Sequence, residues 1–336
     1  MVSSVFVSGA SGYIAQHVCK TLLKQGYKVV GSVRSEEKGN HVSRLFNSSK
    51  FTYEVVPDIE PEGAFDNALQ KNPSLGAFLH IASPFTFKAK NVEKELLNPS
   101  VNGTINALKS IQNYGNKISH VVITSSHAAM FDASKARDPT YTDNEKSWNP
   151  VTWEQARTNP QSAFIATKKY AEKAAWDFVA KENPTFALNS INPVFIFGPQ
   201  AYDSEAKGTL NQSAEIIKRV LKLKPTSKAP GLSGYFVDVR DVAKAQVAAF
   251  EKGLSNERLT LSNTKFAGQD LLDVLNKKFE SLRGKIPEGN PGAGVEVRNQ
   301  SNNIDNSHTN KLLGLTYIDL ETSLTDMVKQ ILAANK

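Results

Sequence analysis

The sequence predicts an α/β protein: one doubly wound parallel sheet with a smaller C-terminal substrate lobe. Three observations predict it. Short β-rich runs alternate with helical stretches over residues 4–198, a glycine turn joins the first strand to the first helix, and beyond Gly198-Pro199 the alternation gives way to longer polar connections. Strands that alternate with helices are joined by crossovers, so neighbours run parallel and helices cover both faces of the sheet.

In chain order, residues 4–8 form the first strand, Gly9-Ala10-Ser11-Gly12-Tyr13-Ile14-Ala15 the turn, and residues 17–24 an apolar-periodic helix that Gly26 ends. β-Rich runs recur at 27–33, 51–56, 77–81, 121–124 and 186–192, with helical segments between most of them. Residues 235–245 return the chain to the main body. The nucleotide domain is therefore expected over 1–198, rejoined by 236–254, and the lobe over 199–235 and 255–336.

A chain of 336 residues, 40% hydrophobic and 22% charged, can bury a full core and reads as ordered nearly throughout. Its single cysteine, Cys19, excludes an intrachain disulfide and a cysteine-rich metal site, and the six histidines include no close pair at ligand spacing. No run of about 18 apolar residues suggests a membrane span, and the amino terminus has neither the basic stretch nor the cleavage site of a secretory signal. A reducing, cytoplasmic setting is expected. The net charge of +7 is spread among nearly as many acids without a basic tract, which favours an anionic small ligand over nucleic acid.

The turn is where such a ligand would bind. Gly9 and Gly12 let backbone N–H groups and the positive helix end approach a pyrophosphate, with Tyr13 and Ile14 at the helix start in the same site, and Ala15 lets the helix sit tightly on the strand. The tip of the second strand selects the cofactor, because an acid there bonds a free ribose 2′-hydroxyl whereas a cation takes a 2′-phosphate. Here it reads Gly31-Ser32-Val33-Arg34-Ser35, with Lys38 following and no acid at the tip. Arg34 and Lys38 therefore favour NADPH/NADP+ over the NAD pair.

The ordered set Gly9-x-x-Gly12-x-x-Ala15, Asp58-Ile59, His80-x-Ala82-Ser83-Pro84, Thr124-Ser125-Ser126, Lys168 and Asn192-Pro193 resembles the extended short-chain dehydrogenase/reductases, whose fold is of the Rossmann type. More narrowly, the chain is similar to their dihydroflavonol-reductase-like branch and its yeast NADPH-dependent methylglyoxal and ketone reductases. The likeness runs over nearly the whole chain, through Ser147-Trp148-Asn149-Pro150, residues 171–176 and residues 235–241. It implies reduction of an aldehyde or ketone to an alcohol by a monomer or homodimer. Ser126 would orient the carbonyl oxygen, a tyrosine would give the proton, and Lys168 would lower the tyrosine pKa while holding the nicotinamide ribose. By the same resemblance Asp58 and Ile59 face the adenine, Ala82, Ser83 and Pro84 line the pyrophosphate and ribose, Thr124 belongs to the cofactor site, and Pro193 and Val194 pass the carboxamide. Phe85, Phe131 and Phe195 would wall an apolar substrate slot.

The tyrosine does not map. The family's Tyr-x-x-x-Lys reads Phe164-Ile165-Ala166-Thr167-Lys168, which keeps the ring and loses the hydroxyl, while Tyr170 projects from another face of the helix. Three explanations fit: a deliberate Tyr→Phe change that traps a complex, a natural reductase that recruits water or another group, and a pseudo-enzyme that binds NADPH without turnover. Low activity with intact cofactor binding is expected. His127 is expected outside the site, because adjacent strand-end residues point to opposite faces, and His80 is expected to be a packed, hydrogen-bonded histidine. Two other functions share parts of the pattern. A nucleotide-sugar epimerase or dehydratase shares the turn but prefers an acid after the second strand, and a non-catalytic NADPH-binding protein is supported by Phe164.

Overall fold

All six β-rich runs become strands of one parallel sheet, and a seventh strand joins them. The computed structural model describes residues 2–83, 91–158 and 160–334. Among these residues the strands are β1 Ser4–Val7, β2 Lys28–Val33, β3 Phe51–Val55, β4 Ala77–His80, β5 His120–Thr124, β6 Thr142–Asp143, β7 Ala187–Pro193, β8 Phe195–Phe197, β9 Ser233–Asp238, β10 Arg258–Leu261, β11 Thr264–Ala267 and β12 Asn303–Ile304. The α-helices are α1 Tyr13–Lys24, α2 Glu36–Phe46, α3 Asp66–Lys71, α4 Asn98–Tyr114, α5 Trp153–Thr158, α6 Pro160–Glu182, α7 Gln212–Val220, α8 Val239–Glu251, α9 Gly268–Lys278, α10 Gly294–Asn299, α11 Ser307–Leu313 and α12 Leu320–Ala334.

The main sheet runs β10-β7-β5-β4-β1-β2-β3, every pair parallel. Its strands are short apolar runs because both faces are covered. Alternation along β1 shows the division: Val5 and Val7 enter a core shared with α1 and α8, whereas Phe6 enters the opposite core and stacks on Phe78 at 4.7 Å. That second core takes its helical side chains from α3, α4 and α6. α1 begins at Tyr13, earlier than the periodicity at 17–24 implies, because the turn residues feed directly into its first turn.

A third core belongs to the lobe. Phe197, Phe236 and Phe266, from the sheet β11-β9-β8, pack with apolar side chains of α7, α9 and α12. The expected boundary at 254 needs correction. β10 pairs with β7 in the main sheet, and α11 sends Leu313 into the same core as α1, so these parts of the expected lobe sit in the main body. The four residues Arg258–Leu261 come after the return segment, and their pairing with β7 is what places them in the main sheet. Among the described residues no helix is long and apolar enough to cross a membrane.

Candidate active site

The strand order reverses between β1 and β4, and the crevice outside their C-terminal ends is where an open α/β sheet accepts a ligand. Side chains bind the two ends together. Ser8 Oγ accepts the N–H groups of Ile81 and Ala82, both at 2.9 Å, and lies 3.1 Å from His80 Nδ1. The Gly9 N–H donates to Ser32 Oγ at 3.1 Å, which ties in the tip of β2. Gly9 has φ +69°, and a Cβ there would lie 3.2 Å from Ala82 Cα, so only glycine lets the turn close on β4 without strain. Gly12 caps α1 with no side-chain bond to the first turn, and that turn holds no acid. Its main-chain N–H groups are thus open to an anion.

A cavity of about 1380 Å³ starts at this turn and runs under the lobe. Every described residue of the expected site lines it: Gly9, Gly12, Tyr13, Ile14, Arg34, Lys38, Asp58, Ile59, Ala82, Ser83, Thr124, Ser126, Phe131, Phe164, Lys168, Pro193, Val194 and Phe195. Pro84 and Phe85 lie outside the described residues. Arg34 and Lys38 are exposed at the rim, and neither side chain has a partner among the described residues. Glu36, the acid nearest Arg34 in the chain, is engaged by Tyr53 Oη at 2.7 Å. Asp58 lines the cavity and also makes a turn, its Oδ1 accepting the Glu60 N–H at 2.9 Å.

Toward the far end, α6 brings Phe164 and Lys168 onto one face, one turn apart. Lys168 Nζ donates to Ser83 Oγ at 3.2 Å, and burial pulls its pKa down to about 8. Ser126 follows β5, and its Oγ accepts the Ala128 N–H at 3.1 Å. Beneath it lies Glu172, buried on α6. Its carboxylate accepts Ser125 Oγ at 2.5 Å, Asn192 Nδ2 at 2.6 Å and Arg258 Nε at 2.6 Å. Asn192 Nδ2 also reaches the Ser126 carbonyl at 3.3 Å, and the Arg258 guanidinium stacks 3.8 Å from the Trp148 ring centroid. The motifs at 147–150 and 171–176 thereby acquire a physical role: a buried ion pair under the strand end that presents Ser126.

The sequence profile of the NAD dependent epimerase/dehydratase family matches residues 5–261. The chain belongs to that family. Among family members, it is 48% identical over 336 residues to a putative NADPH-dependent methylglyoxal reductase of Candida albicans, covering 98% of each chain. It is 45% identical to the NADPH-dependent methylglyoxal reductase of Saccharomyces cerevisiae, again over 98% of each. The crystal structure of Gre2 from Candida albicans in complex with NADPH superposes with a TM-score of 0.97 at 49% identity, covering 99% of each chain.

In this epimerase/dehydratase-family chain several residues sit otherwise than sequence suggests. His127 lines the cavity, contrary to the expectation from strand alternation, because Ser126 caps a 3-10 turn at His127–Ala129 and the extended backbone ends there. His80 is buried and bonded as expected through Nδ1, but its Nε2 has no partner among the described residues, and burial pulls its pKa down to about 4. Thr124 lines the cavity while its Oγ1 accepts Gln246 Nε2 at 2.6 Å. Tyr13 Oη donates to the Gly198 carbonyl at 2.8 Å, so its main chain is what faces a ligand. Tyr170 packs on Trp153 and points its hydroxyl at the Val151 carbonyl, away from the cavity. Sequence reasoning missed Ser8 and Ser32, which shape the turn, and Asn211, Tyr235 and Asn302, which close the cavity from the lobe side. A hydroxyl at each strand tip was the available signal for the first pair.

Proposed function

We propose that this chain reduces the carbonyl of a small aldehyde or ketone with NADPH, and does so weakly because Phe164 stands where the family's proton donor is expected. The observation that carries the reading is one cavity in which an uncapped helix end, the cations Arg34 and Lys38, Ser126 and Lys168 line a continuous wall. The reading also rests on likeness to two methylglyoxal reductases and to a structure crystallised with NADPH.

The residues present fit the cofactor. Gly9 leaves a cradle that a Cβ would fill, Gly12 lines it, Tyr13 and Ile14 border it with N–H groups of the first helical turn, and Arg34 and Lys38 would take the 2′-phosphate. Asp58 and Ile59 would meet the adenine, while Ala82, Ser83, Thr124, Pro193 and Val194 would line the path to the nicotinamide. When bound, NADPH supplies the hydride. Ser126 Oγ would donate to the substrate oxygen, and Lys168, still mostly protonated at neutral pH, would hold the ribose hydroxyls with Ser83. Phe131 and Phe195 would wall the apolar part of the substrate; Phe195 is 38% exposed in the cavity wall, an unusual state for so large a ring. The buried free thiol of Cys19 fits a reducing, cytoplasmic setting.

The test is NADPH oxidation with methylglyoxal and with an aromatic ketone, run on this chain and on Phe164→Tyr, with binding followed by NADPH fluorescence. Both should bind, and the tyrosine form should turn over about 10²–10⁴-fold faster. A tyrosine form that binds yet stays inert across a carbonyl panel favours the binding-protein function, for which Phe164 is the supporting observation.

A further inference from the structure

Phe164 offers no proton, yet the turn that displays Ser126 brings an imidazole into the same wall. His127 Nε2 is buried and lies 3.5 Å from Asp143 Oδ2, within ion-pair range though not hydrogen-bonded. Asp143 is fully buried, and Asn302 Nδ2 holds its Oδ2 at 2.9 Å. A lone pair on Nε2 facing a carboxylate oxygen is repulsive, whereas a proton there is attracted to it, so the arrangement favours the Nε2–H tautomer. The remaining basic site is Nδ1, which has no partner among the described residues. This is the logic of an acid–base histidine oriented by a buried carboxylate.

The hydroxyls of Tyr13 and Tyr235 and the ammonium of Lys168, which line the same cavity, are committed. Tyr235 Oη donates to the Asn302 carbonyl at 3.2 Å and accepts the Ile304 N–H at 3.1 Å, Tyr13 Oη donates to Gly198, and Lys168 Nζ donates to Ser83. We infer that His127, oriented by Asp143, is the proton donor to the substrate oxygen that Ser126 positions. The inference rests on the carbonyl-reductase reading above. In the balanced step the carbonyl carbon accepts the hydride pair of the reduced nicotinamide, the π pair moves onto oxygen, and that oxygen takes the Nδ1 proton. The products are the alcohol, the oxidised nicotinamide and neutral His127, which regains its proton from water. Among the described residues Asp143 on β6 is the charged group in ion-pair range of the His127 ring, while Tyr235 on β9 and Lys168 on α6 line the same cavity.

The experiment compares the parent chain, His127→Phe, His127→Gln, Asp143→Asn, Phe164→Tyr and the double variant His127→Phe/Phe164→Tyr. NADPH oxidation with methylglyoxal is followed from about pH 5 to 9, NADPH binding by fluorescence, and the His127 ring by nitrogen-15 NMR with and without NADP+. Both His127 variants should lose about 10²–10⁴-fold in turnover while still binding NADPH, and the double variant should recover it through the new phenol. Asp143→Asn should move the His127 ring resonances away from the Nε2–H tautomer pattern, because the carboxylate oxygen that favours that tautomer is gone. Parent-like turnover in both His127 variants, or an unchanged tautomer pattern in Asp143→Asn, overturns the inference. A parent that is inert beside an active Phe164→Tyr overturns it and leaves the reductase reading standing; inertness of both removes that reading as well.

Discussion

At the glycine-turn end of the cavity the chain presents main-chain N–H groups and two cations without partners among the described residues; at the far end it presents a hydroxyl, an imidazole and aromatic rings. The first end is built from three neighbouring strand tips, β1, β2 and β4, laced by Ser8 and Ser32 over bonds of 2.9–3.1 Å. The second is assembled from β5, α6, β8 and the lobe, and it stands on a buried ion pair between Glu172 and Arg258. The difference teaches that the cofactor end depends on backbone shape, which few substitutions reach, whereas the chemical end depends on side chains that single changes can add or remove.

Four measurements would break or sharpen that contrast. The largest effect is expected for Glu172→Ala, which leaves the Arg258 charge buried without its carboxylate. Stability should drop by about 3–5 kcal/mol, read by denaturant melts. If Glu172→Ala melts like the parent, the far end does not stand on that pair.

A loss of similar size should come from acid at the other end. An ordinary histidine titrates near 6.5 and His80 at about 4, so the unfolded chain takes up the proton first. Stability is therefore whole above pH 6.5 and is lost as the pH falls toward 4, by on the order of 3 kcal/mol from this residue. His17, also buried and pulled down to about 4, loses stability over the same window. Thermal melts across that window on the parent and on His80→Asn should differ in slope, the variant being flatter.

Next, Arg34→Ala combined with Lys38→Ala should weaken NADPH by about 10–100-fold, the worth of charge-assisted bonds to a phosphate, and leave NADH nearly unchanged. An equal loss for both cofactors would place the two cations elsewhere than at the 2′-phosphate. Smallest is Gly9→Ala. The left-handed backbone and the 3.2 Å approach to Ala82 should cost about 1–2 kcal/mol of stability, with NADPH affinity falling alongside. A Gly9→Ala variant that keeps its affinity would show that the turn is not the phosphate cradle.

The same contrast governs what was legible in the sequence. Gly9, Gly12, Arg34 and Lys38 could be read because strand–turn–helix geometry is local, and a few residues of context determine where each N–H or cation lies. Ser126, Phe164 and Lys168 were legible only through resemblance, since nothing local places residues 126 and 164 on one wall. β10 escaped because it comes after the return segment, where a long-range pairing with β7, not a local pattern, joins it to the main sheet, and α11 followed it into the main body. His127 was misplaced because alternation was extended one residue past the point where Ser126 caps a turn and the strand geometry ends.

By itself the sequence determined the parallel sheet, the glycine turn between β1 and α1, the cationic tip of β2 and the absence of a hydroxyl at residue 164, because each is a property of contiguous chain. Tertiary structure alone decided that His127 meets Asp143, that Glu172 joins Ser125, Asn192 and Arg258, and that the lobe closes the cavity with Asn211 and Asn302. Those contacts join segments far apart in the chain. Which of the many possible pairings forms is settled by how the cores pack and by the need to satisfy each buried polar group, not by any local pattern.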